Sequence, residues 1–452
     1  MRVHFIAIGG AAMHNLALAL HQKGYKVTGS DDEIFEPSRS RLDAVGILPK
    51  SYGWFPEKIN SDIDAIILGM HARKDNLELL EAQKQGLKIY SYPEYIYEQS
   101  KDKIRVVIGG SHGKTTITSM VMHVLAYHKM NFDYMVGSQL EGFDTMVRLS
   151  EDAKYIILEG DEYLSSPIDL RSKFLWYKPQ IALLTGIAWD HINVFPTWEG
   201  YIEQFDKFVS TINNGGYLTY FEGDKELRKI GEKHQSRINT VAYRTHDYTV
   251  NEGTTWIKTE QGQRELAIFG EHNLQNISGA KNLCNQIGVS DEKFYQAISE
   301  FKGAARRLQT LVKTDKTQIF LDFAHSPSKL EATTKAVKAQ FGNRKLVACM
   351  ELHTFSSLKA DFLPQYKGTM NVADVAFVYF SPKTVEHKQL EPITAEDVFK
   401  AFDNPNLKVF TDSEEIVKAL KAISFDNKNL LLMTSGNFGG LDLKELAKEL
   451  SV

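Results

Sequence analysis

Residues 109–116 read GGSHGKTT, and they close the apolar run KIRVVIGG at 103–110 before a helical stretch that begins at Lys114. A strand, a glycine loop and a helix in succession are the setting in which a GK[ST] sequence acquires physical meaning. Glycines let consecutive backbone N–H groups turn toward a phosphate. The helix N-terminus adds unsatisfied donors and the positive end of a dipole. Lys114 is long enough to reach β- and γ-phosphates, and the Thr115 hydroxyl is a ligand type for Mg2+. The spacing is G-x-x-G-K-T-T, Gly110 to Thr116, rather than G-x-x-x-x-G-K-[ST], because Ile108 stands five before Gly113. A plain glycine turn with a surface lysine is the alternative. The flanking strand and helix favour the phosphate reading without choosing between ATP and GTP.

Outward from this loop the chain alternates strand and helix. On the N-terminal side VHFIAIGG, YKVTGSD and DAIILGM are strands, and AAMHNLALALHQKG is an amphipathic helix that stops at Gly24. That βαβ rhythm predicts a parallel sheet covered by helices. After the loop come two buried strands, YIILEG and IALLTGI. Between Gly216 and Gly270 the segments GYLTYF, NTVAYR and TTWIKTEQGQRELAIFG are short, alternating and broken by Gly, Asn and Asp, which predicts added antiparallel strands. The segment HNLQNISGAKNLCNQIG is again helical. Beyond FKGAARRLQ the α/β pattern restarts with TQIFLDFA, KLVACM, VAFVYF, LKVFTD and NLLLMTSG as strands.

Length and composition set the frame. A chain of 452 residues is expected to hold two or three domains. Its 43% hydrophobic and 24% charged content is that of an ordinary globular protein. A net charge of −4 without long like-charge runs argues against a nucleic-acid partner. Cys284 and Cys349 stand in no CxxC pair or metal spacing and read as small buried hydrophobes. The opening MRVHFIAIGG reads as a first strand rather than a signal peptide. No apolar stretch approaches the roughly 20 residues that span a bilayer. A cytoplasmic protein without membrane contact is the expectation.

Two further constellations carry chemistry. In AIGGAAMHNLA, Ala7, Gly9 and Ala12 occupy the positions of a degraded G-x-G-x-x-G turn. Asp31 ends the next strand, about 20 residues on, where such folds place a ribose-binding acid. Alone this turn points to NAD or to no ligand at all. In LEGDEY, Glu159, Asp161 and Glu162 crowd the end of a strand, and WDHINVF places Asp190 and His191 after the next. An acid and a histidine from neighbouring strand ends suit a metal site beside the loop, since Mg2+ takes oxygen ligands and water. Helix caps and a satisfied polar histidine are the structural alternative.

The ordered set GGSHGKTT, LEGDEY, WDHINVF, GEHNLQN, AARRLQ and LDFAHSP resembles the Mur ligases, ATP-dependent amide-forming enzymes of peptidoglycan synthesis, over essentially the whole chain. The resemblance implies an α/β fold of three domains. These are a Rossmann-like UDP-sugar domain (1–101), a central P-loop ATPase-type domain with added antiparallel strands (102–303) and a Rossmann-like C-terminal domain for the amino acid or peptide (304–452). It implies ATP and Mg2+ as cofactors, UDP-N-acetylmuramic acid and a peptide or amino acid as substrates, and no obligate protein partner. The pyrophosphate at the first glycine turn becomes that of UDP.

Carried over residue by residue, Gly110, Ser111, His112, Gly113, Lys114, Thr115 and Thr116 would hold the ATP phosphates, with Lys114 on the transferred group. Thr115 and Glu159 would bind one Mg2+, and His191 a second. Asn273 and Asn276 would contact adenine, Arg307 the γ-phosphate and Asp322 the ribose, with His325 lining the same cleft. Gly9, Gly10, Asp31, Arg73 and Asn76 would hold the UDP-sugar. Arg171 and His353 would meet the peptide. Lys207 is near the place of a carbamylated lysine found in some members but out of register, and is left unassigned. Because these ATP contacts come from both sides of residue 303, the resemblance also implies closure of the domains on ATP and the sugar nucleotide.

Within the family, DLRSKF (169–174) and MTSGNFGG (433–440) are most similar to members that join UDP-N-acetylmuramic acid to L-alanyl-γ-D-glutamyl-meso-diaminopimelate in peptidoglycan recycling. Near relatives that add L-alanine usually carry EADESD where this chain has EGDEYL. An NAD-dependent oxidoreductase would leave GGSHGKTT and its acids without a task. A silent nucleotide-binding regulator would be expected to lack Lys114, Glu159 or His191, and all three are present.

Overall fold

The computed structural model describes residues 1–140, 142–190 and 194–451. The chain forms two compact units, one of residues 1–189, 194–244 and 279–294, the other of residues 190–193, 245–278 and 295–452.

The first unit opens with β1 (Arg2–Ile6), β2 (Lys26–Ser30), β3 (Ala65–Leu68) and β4 (Ile89–Ser91), a parallel sheet in the order β2-β1-β3-β4. Val3, Phe5, Ile66 and Ile67 are completely buried, as near-continuous apolar strands covered on both faces must be. The helix Ala11–Gln22 turns Leu16, Ala17 and Leu20 into one core with Val3, Phe5 and Ile67, while Ile66 faces a second cluster on the other side of the sheet.

The second sheet of this unit holds β5 (Ile104–Gly109), β6 (Phe132–Met135), β7 (Val147–Arg148), β8 (Tyr155–Glu159), β9 (Ile181–Leu184), β10 (Tyr217–Phe221) and β11 (Asn239–Tyr243). Their order is β11-β10-β9-β5-β8-β6-β7, all parallel except the β6–β7 pair. β5 lies in the middle, with β8 and β9 on either side, so the loop that follows it emerges between two other strand ends.

This corrects one expectation. GYLTYF and NTVAYR are not antiparallel additions but parallel members of the main sheet. The helix Lys225–His234 crosses between them, capped by Asp224 and burying Leu227 and Ile230. Parallel neighbours need such a crossover. Its charged sequence KELRKIGEKH hides a narrow apolar stripe.

The second unit does contain the expected antiparallel addition, β12 (Tyr248–Asn251), β13 (Thr254–Thr259) and β14 (Gly262–Leu266). Its main sheet holds β15 (Gln309–Lys313), β16 (Gln318–Asp322), β17 (Lys345–Leu352), β18 (Val375–Phe380), β19 (Leu407–Phe410) and β20 (Lys428–Met433). The order is β15-β16-β20-β17-β18-β19, parallel except for β15 at one edge. The five strands read from the apolar runs are β16 to β20. β15 was not legible because it is an edge strand with no fully buried residue. Cys284 and Cys349 are buried, and burial pushes both thiols up, so they pack rather than react. Among the described residues no helix is long and apolar enough to cross a membrane.

Candidate active site

The loop after β5 is shaped by close approach. Gly110 has φ +123°, and a Cβ there would lie 2.0 Å from the Thr185 hydroxyl oxygen and 2.8 Å from its backbone nitrogen. Gly113 has φ +74° and caps the helix Lys114–Tyr127. Only glycine takes both positions without strain. The Ser111 N–H donates to the Gly186 carbonyl at 2.9 Å, and the Thr185 hydroxyl donates to the His112 carbonyl. The loop is thus held from β9 and its following turn. Thr116 is buried in the first turn of the helix.

Strand register brings the predicted acids to this loop. Glu159, last residue of β8, pairs with Ile108 of β5. Its Oε1 accepts from the Thr115 hydroxyl at 2.7 Å, and its Oε2 from the Gly137 N–H at 2.9 Å. Lys114 donates to the Gly110 carbonyl at 2.6 Å and to Glu162 Oε2 at 2.7 Å. Burial works against the Lys114 charge, but Glu162, Asp161 and Glu159 outweigh it and push its pKa up to about 12. Asp161 is only half-buried, and its partial desolvation is outweighed by Lys173 at 2.6 Å and by Lys114, which hold its carboxyl below the ordinary range. Sequence reasoning named Glu162 as one of three clustered acids without assigning it a task.

A carboxylate and a threonine hydroxyl 2.7 Å apart at a helix N-terminus are hard oxygen donors of the kind Mg2+ takes. Their chemistry fits the ion. His191, the expected second metal ligand, lies outside the described residues. Asp190, beside it, pairs with Lys329 at 3.8 Å within the second unit.

The N-terminal turn lines a cavity of about 590 Å³ in the first unit, with Gly9, Gly10, Asp31, Arg41, His71 and Gln139 in its wall. The Gly9 N–H donates to Asp31 Oδ2 at 2.7 Å, and a Cβ on Gly9 would come within 2.9 Å of that oxygen. Burial, against the pull of the Gly9 N–H, and the adjacent Asp32 raise the Asp31 pKa to about 6. Arg73 and Asn76 are not in this wall. Arg73 is exposed and forms a two-pronged ion pair with Asp75. Asn76 is buried and caps the helix Leu77–Lys84 through Glu78 N–H at 3.0 Å and Leu79 N–H at 3.1 Å. Arg41 and His71 went unnoticed in the sequence because nothing local distinguishes them from surface residues.

In the second unit, Asp322 ends β16 with Oδ2 accepting from Leu308 N–H at 2.6 Å and Oδ1 from Ala324 N–H at 2.7 Å. This carboxylate fixes the AARRLQ turn, where Arg306 and Leu308 both have positive φ. The Arg307 guanidinium lies 4.9 Å over the Phe323 ring. His325 bonds the Phe323 carbonyl at 2.8 Å, and burial followed by Lys329 lowers its pKa to about 4. Asn273 is buried and donates to the Phe269 carbonyl at 2.8 Å, and Asn276 is buried one helical turn further on. His353 lies 3.6 Å from Glu351 at the end of β17. Back in the first unit, Arg171 forms a bidentate pair with Asp169 and stacks at 4.0 Å on Trp176.

A glycine loop at the carboxyl edge of a parallel sheet, with a lysine and acids converging on it, marks an α/β protein built to bind phosphate groups. Comparison with known proteins carries the class further. Three family models match in succession: "Mur ligase family, catalytic domain" over residues 2–103, "Mur ligase middle domain" over 108–284 and "Mur ligase, glutamate ligase domain" over 306–436. A UDP-N-acetylmuramate–L-alanine ligase of Streptococcus pneumoniae (strain Hungary19A-6) is 30% identical over 433 residues, 89% of this chain and 92% of that protein. The solved murein peptide ligase of Psychrobacter arcticus 273-4 superposes with TM-score 0.67 at 22% identity, covering 100% of this chain and 99% of that one. The UDP-N-acetylmuramate-alanine ligase of Thermotoga maritima gives 0.72 at 20%, covering 100% and 98%. The chain belongs to the Mur ligase family. It is an ATP-dependent amide ligase of peptidoglycan synthesis.

Proposed function

We propose that the chain joins the carboxylate of UDP-N-acetylmuramic acid to the amine of L-alanyl-γ-D-glutamyl-meso-diaminopimelate. The observation that carries the chemistry is the convergence of Lys114, Thr115 and Glu159 at adjacent strand ends. A carboxylate has no good leaving group. Its oxygen attacks the γ-phosphorus of ATP, the bond to ADP breaks, and an acyl phosphate results. The amine then attacks the acyl carbon, the carbon–oxygen bond to phosphate breaks, and the nitrogen gives up a proton. Lys114 faces the charge that develops on the transferred group, where a positioned cation acts most strongly. Thr115 and Glu159 would hold Mg2+, which supplies further neutralisation of the phosphates, and His191 would help hold a second ion. The loop 110–116 with Arg307, Asp322, Asn273, Asn276 and His325 is the proposed ATP set. Gly9, Gly10 and Asp31 are the proposed UDP-sugar set, in a domain over 1–101, ahead of an ATP domain over 102–303 and a peptide domain over 304–452.

The tripeptide as acceptor rests on DLRSKF and MTSGNFGG, which are most similar to peptide-joining members. L-Alanine is the second reading, favoured by the relatives at 30% identity, which are L-alanine ligases. Phosphate release from ATP with UDP-N-acetylmuramic acid and each acceptor in turn decides between them. Release with the tripeptide alone is expected. Release with L-alanine moves the chain to the biosynthetic branch.

A further inference from the structure

Glu162 is completely buried, and both of its carboxylate oxygens are engaged. Oε2 accepts from Lys114 at 2.7 Å, and Oε1 accepts from the Tyr201 hydroxyl at 2.9 Å. Tyr201 is completely buried on the helix Trp198–Ser210, its ring packed edge-on against Phe205 at 5.2 Å and tilted against Phe195 at 5.5 Å. The same hydroxyl lies 2.9 Å from Ser111 Oγ, which accepts from the Ala188 N–H at 2.9 Å. A phenol has one proton to give. Tyr201 donates it to Glu162, so the Tyr201–Ser111 bond is donated by serine. One carboxylate therefore holds the phosphate loop at two points, Lys114 directly and Ser111 through Tyr201.

We propose that Glu162 is a positioning residue for phosphoryl transfer, an inference that rests on reading 110–116 as the ATP phosphate loop. Lysine is a point charge on a flexible four-carbon stem and does not aim itself. In the structure Lys114 has two acceptors, the Gly110 carbonyl and Glu162. An arriving phosphoryl oxygen takes the place of the Gly110 carbonyl. Glu162 stays behind the ammonium and keeps it directed. The link through Tyr201 keeps the Ser111 end of the loop in register with that ammonium. Neither Glu162 nor Tyr201 needs to touch ATP.

The test is steady-state phosphate release by the full chain, with ATP affinity from calorimetry and a melting curve for each variant. Glu162→Gln keeps the shape and removes the charge. It should lower kcat by about 100-fold, the scale of a misplaced reacting group, while the ATP Kd moves by only a few-fold. Glu162→Asp keeps the charge on a shorter stem and should retain more kcat than the isosteric Gln, an order that a space-filling role would reverse. Tyr201→Phe cuts only the arm to Ser111 and should cost several-fold in kcat. A Glu162→Gln enzyme that melts lower but turns over at the wild-type rate overturns the proposal. If that variant does not fold, a wild-type kcat in Tyr201→Phe does so instead. Lys114→Ala separates the two levels. Retained turnover there removes the phosphate-loop reading and this proposal with it. An inactive Lys114→Ala beside a fully active Glu162→Gln removes the proposal alone.

Discussion

Lys114 shows how one side chain acquires its task from its surroundings. On its own it is a lysine after a glycine. In the fold it is a largely buried ammonium paired with Glu162, whose side chain is fully shielded from water. Lys114→Ala should abolish ATP-dependent phosphate release while circular dichroism still reports the native α/β content, and retained release would remove the loop assignment. His325 carries a pH dependence of definite sign. Its pKa falls from 6.5 to about 4 in the fold. Between those values the unfolded chain binds a proton that the folded chain refuses. Stability is therefore fully present above pH 6.5 and is lost as pH falls toward 4, by about 3 kcal/mol in all. Denaturant titrations at pH 7 and pH 5 should show about 2 kcal/mol of this loss in the wild type and a flatter dependence in His325→Gln. An unchanged slope in that variant would place the titration elsewhere.

At the scale of elements, capping residues stand where sequence motifs invite functional readings. Asn76 was expected at the sugar nucleotide, and the structure shows its side chain accepting from two N–H groups of the helix Leu77–Lys84. Asn76→Ala should cost about 1 kcal/mol in urea unfolding, the usual loss for a cap. If capping is its whole contribution, the KM for UDP-N-acetylmuramic acid stays put, and a raised KM supports the ligand role. Asp224 is a second case. It caps the helix Lys225–His234 and also accepts from Ile187 N–H at 2.7 Å, tying the crossover to the turn after β9. That crossover makes β10 and β11 parallel. The alternation of GYLTYF is local and does not report strand direction, which depends on where the connection runs.

For the whole molecule, the two units carry separate cores, one around Phe174, Phe205 and Phe208, another around Phe320, Tyr366 and Phe402. Trp54, Trp176, Trp189 and Trp198 lie in the first unit and Trp256 in the second. Tryptophan fluorescence thus follows mainly the first unit, where all the proposed contacts of the sugar nucleotide lie. UDP-N-acetylmuramic acid at 100 times its Kd should stabilise that unit by about 2.7 kcal/mol and raise the fluorescence-detected melting midpoint. No shift at saturation would remove the assignment of the 590 Å³ cavity to that ligand.

The parallel-sheet architecture was legible because buried parallel strands are continuous apolar runs, and VVIGG, YIILEG and NLLLMTSG declare themselves without their neighbours. The loop was legible because Gly110 and Gly113 meet a backbone requirement that the glycines themselves announce. The partners were not. Strand register sets Glu159 against Thr115, and the packing of helices and loops around the sheets, not spacing along the chain, sets Glu162 between Lys114 and Tyr201 and Arg41 and His71 in one cavity wall. By itself the sequence determined which buried apolar segments become strands and where the glycine loop turns, since both depend on residues close in the chain. The tertiary structure alone decided strand direction in β10 and β11, the capping task of Asn76 and the tie from Glu162 to both ends of the loop. Each of these depends on groups that only folding brings within hydrogen-bond distance.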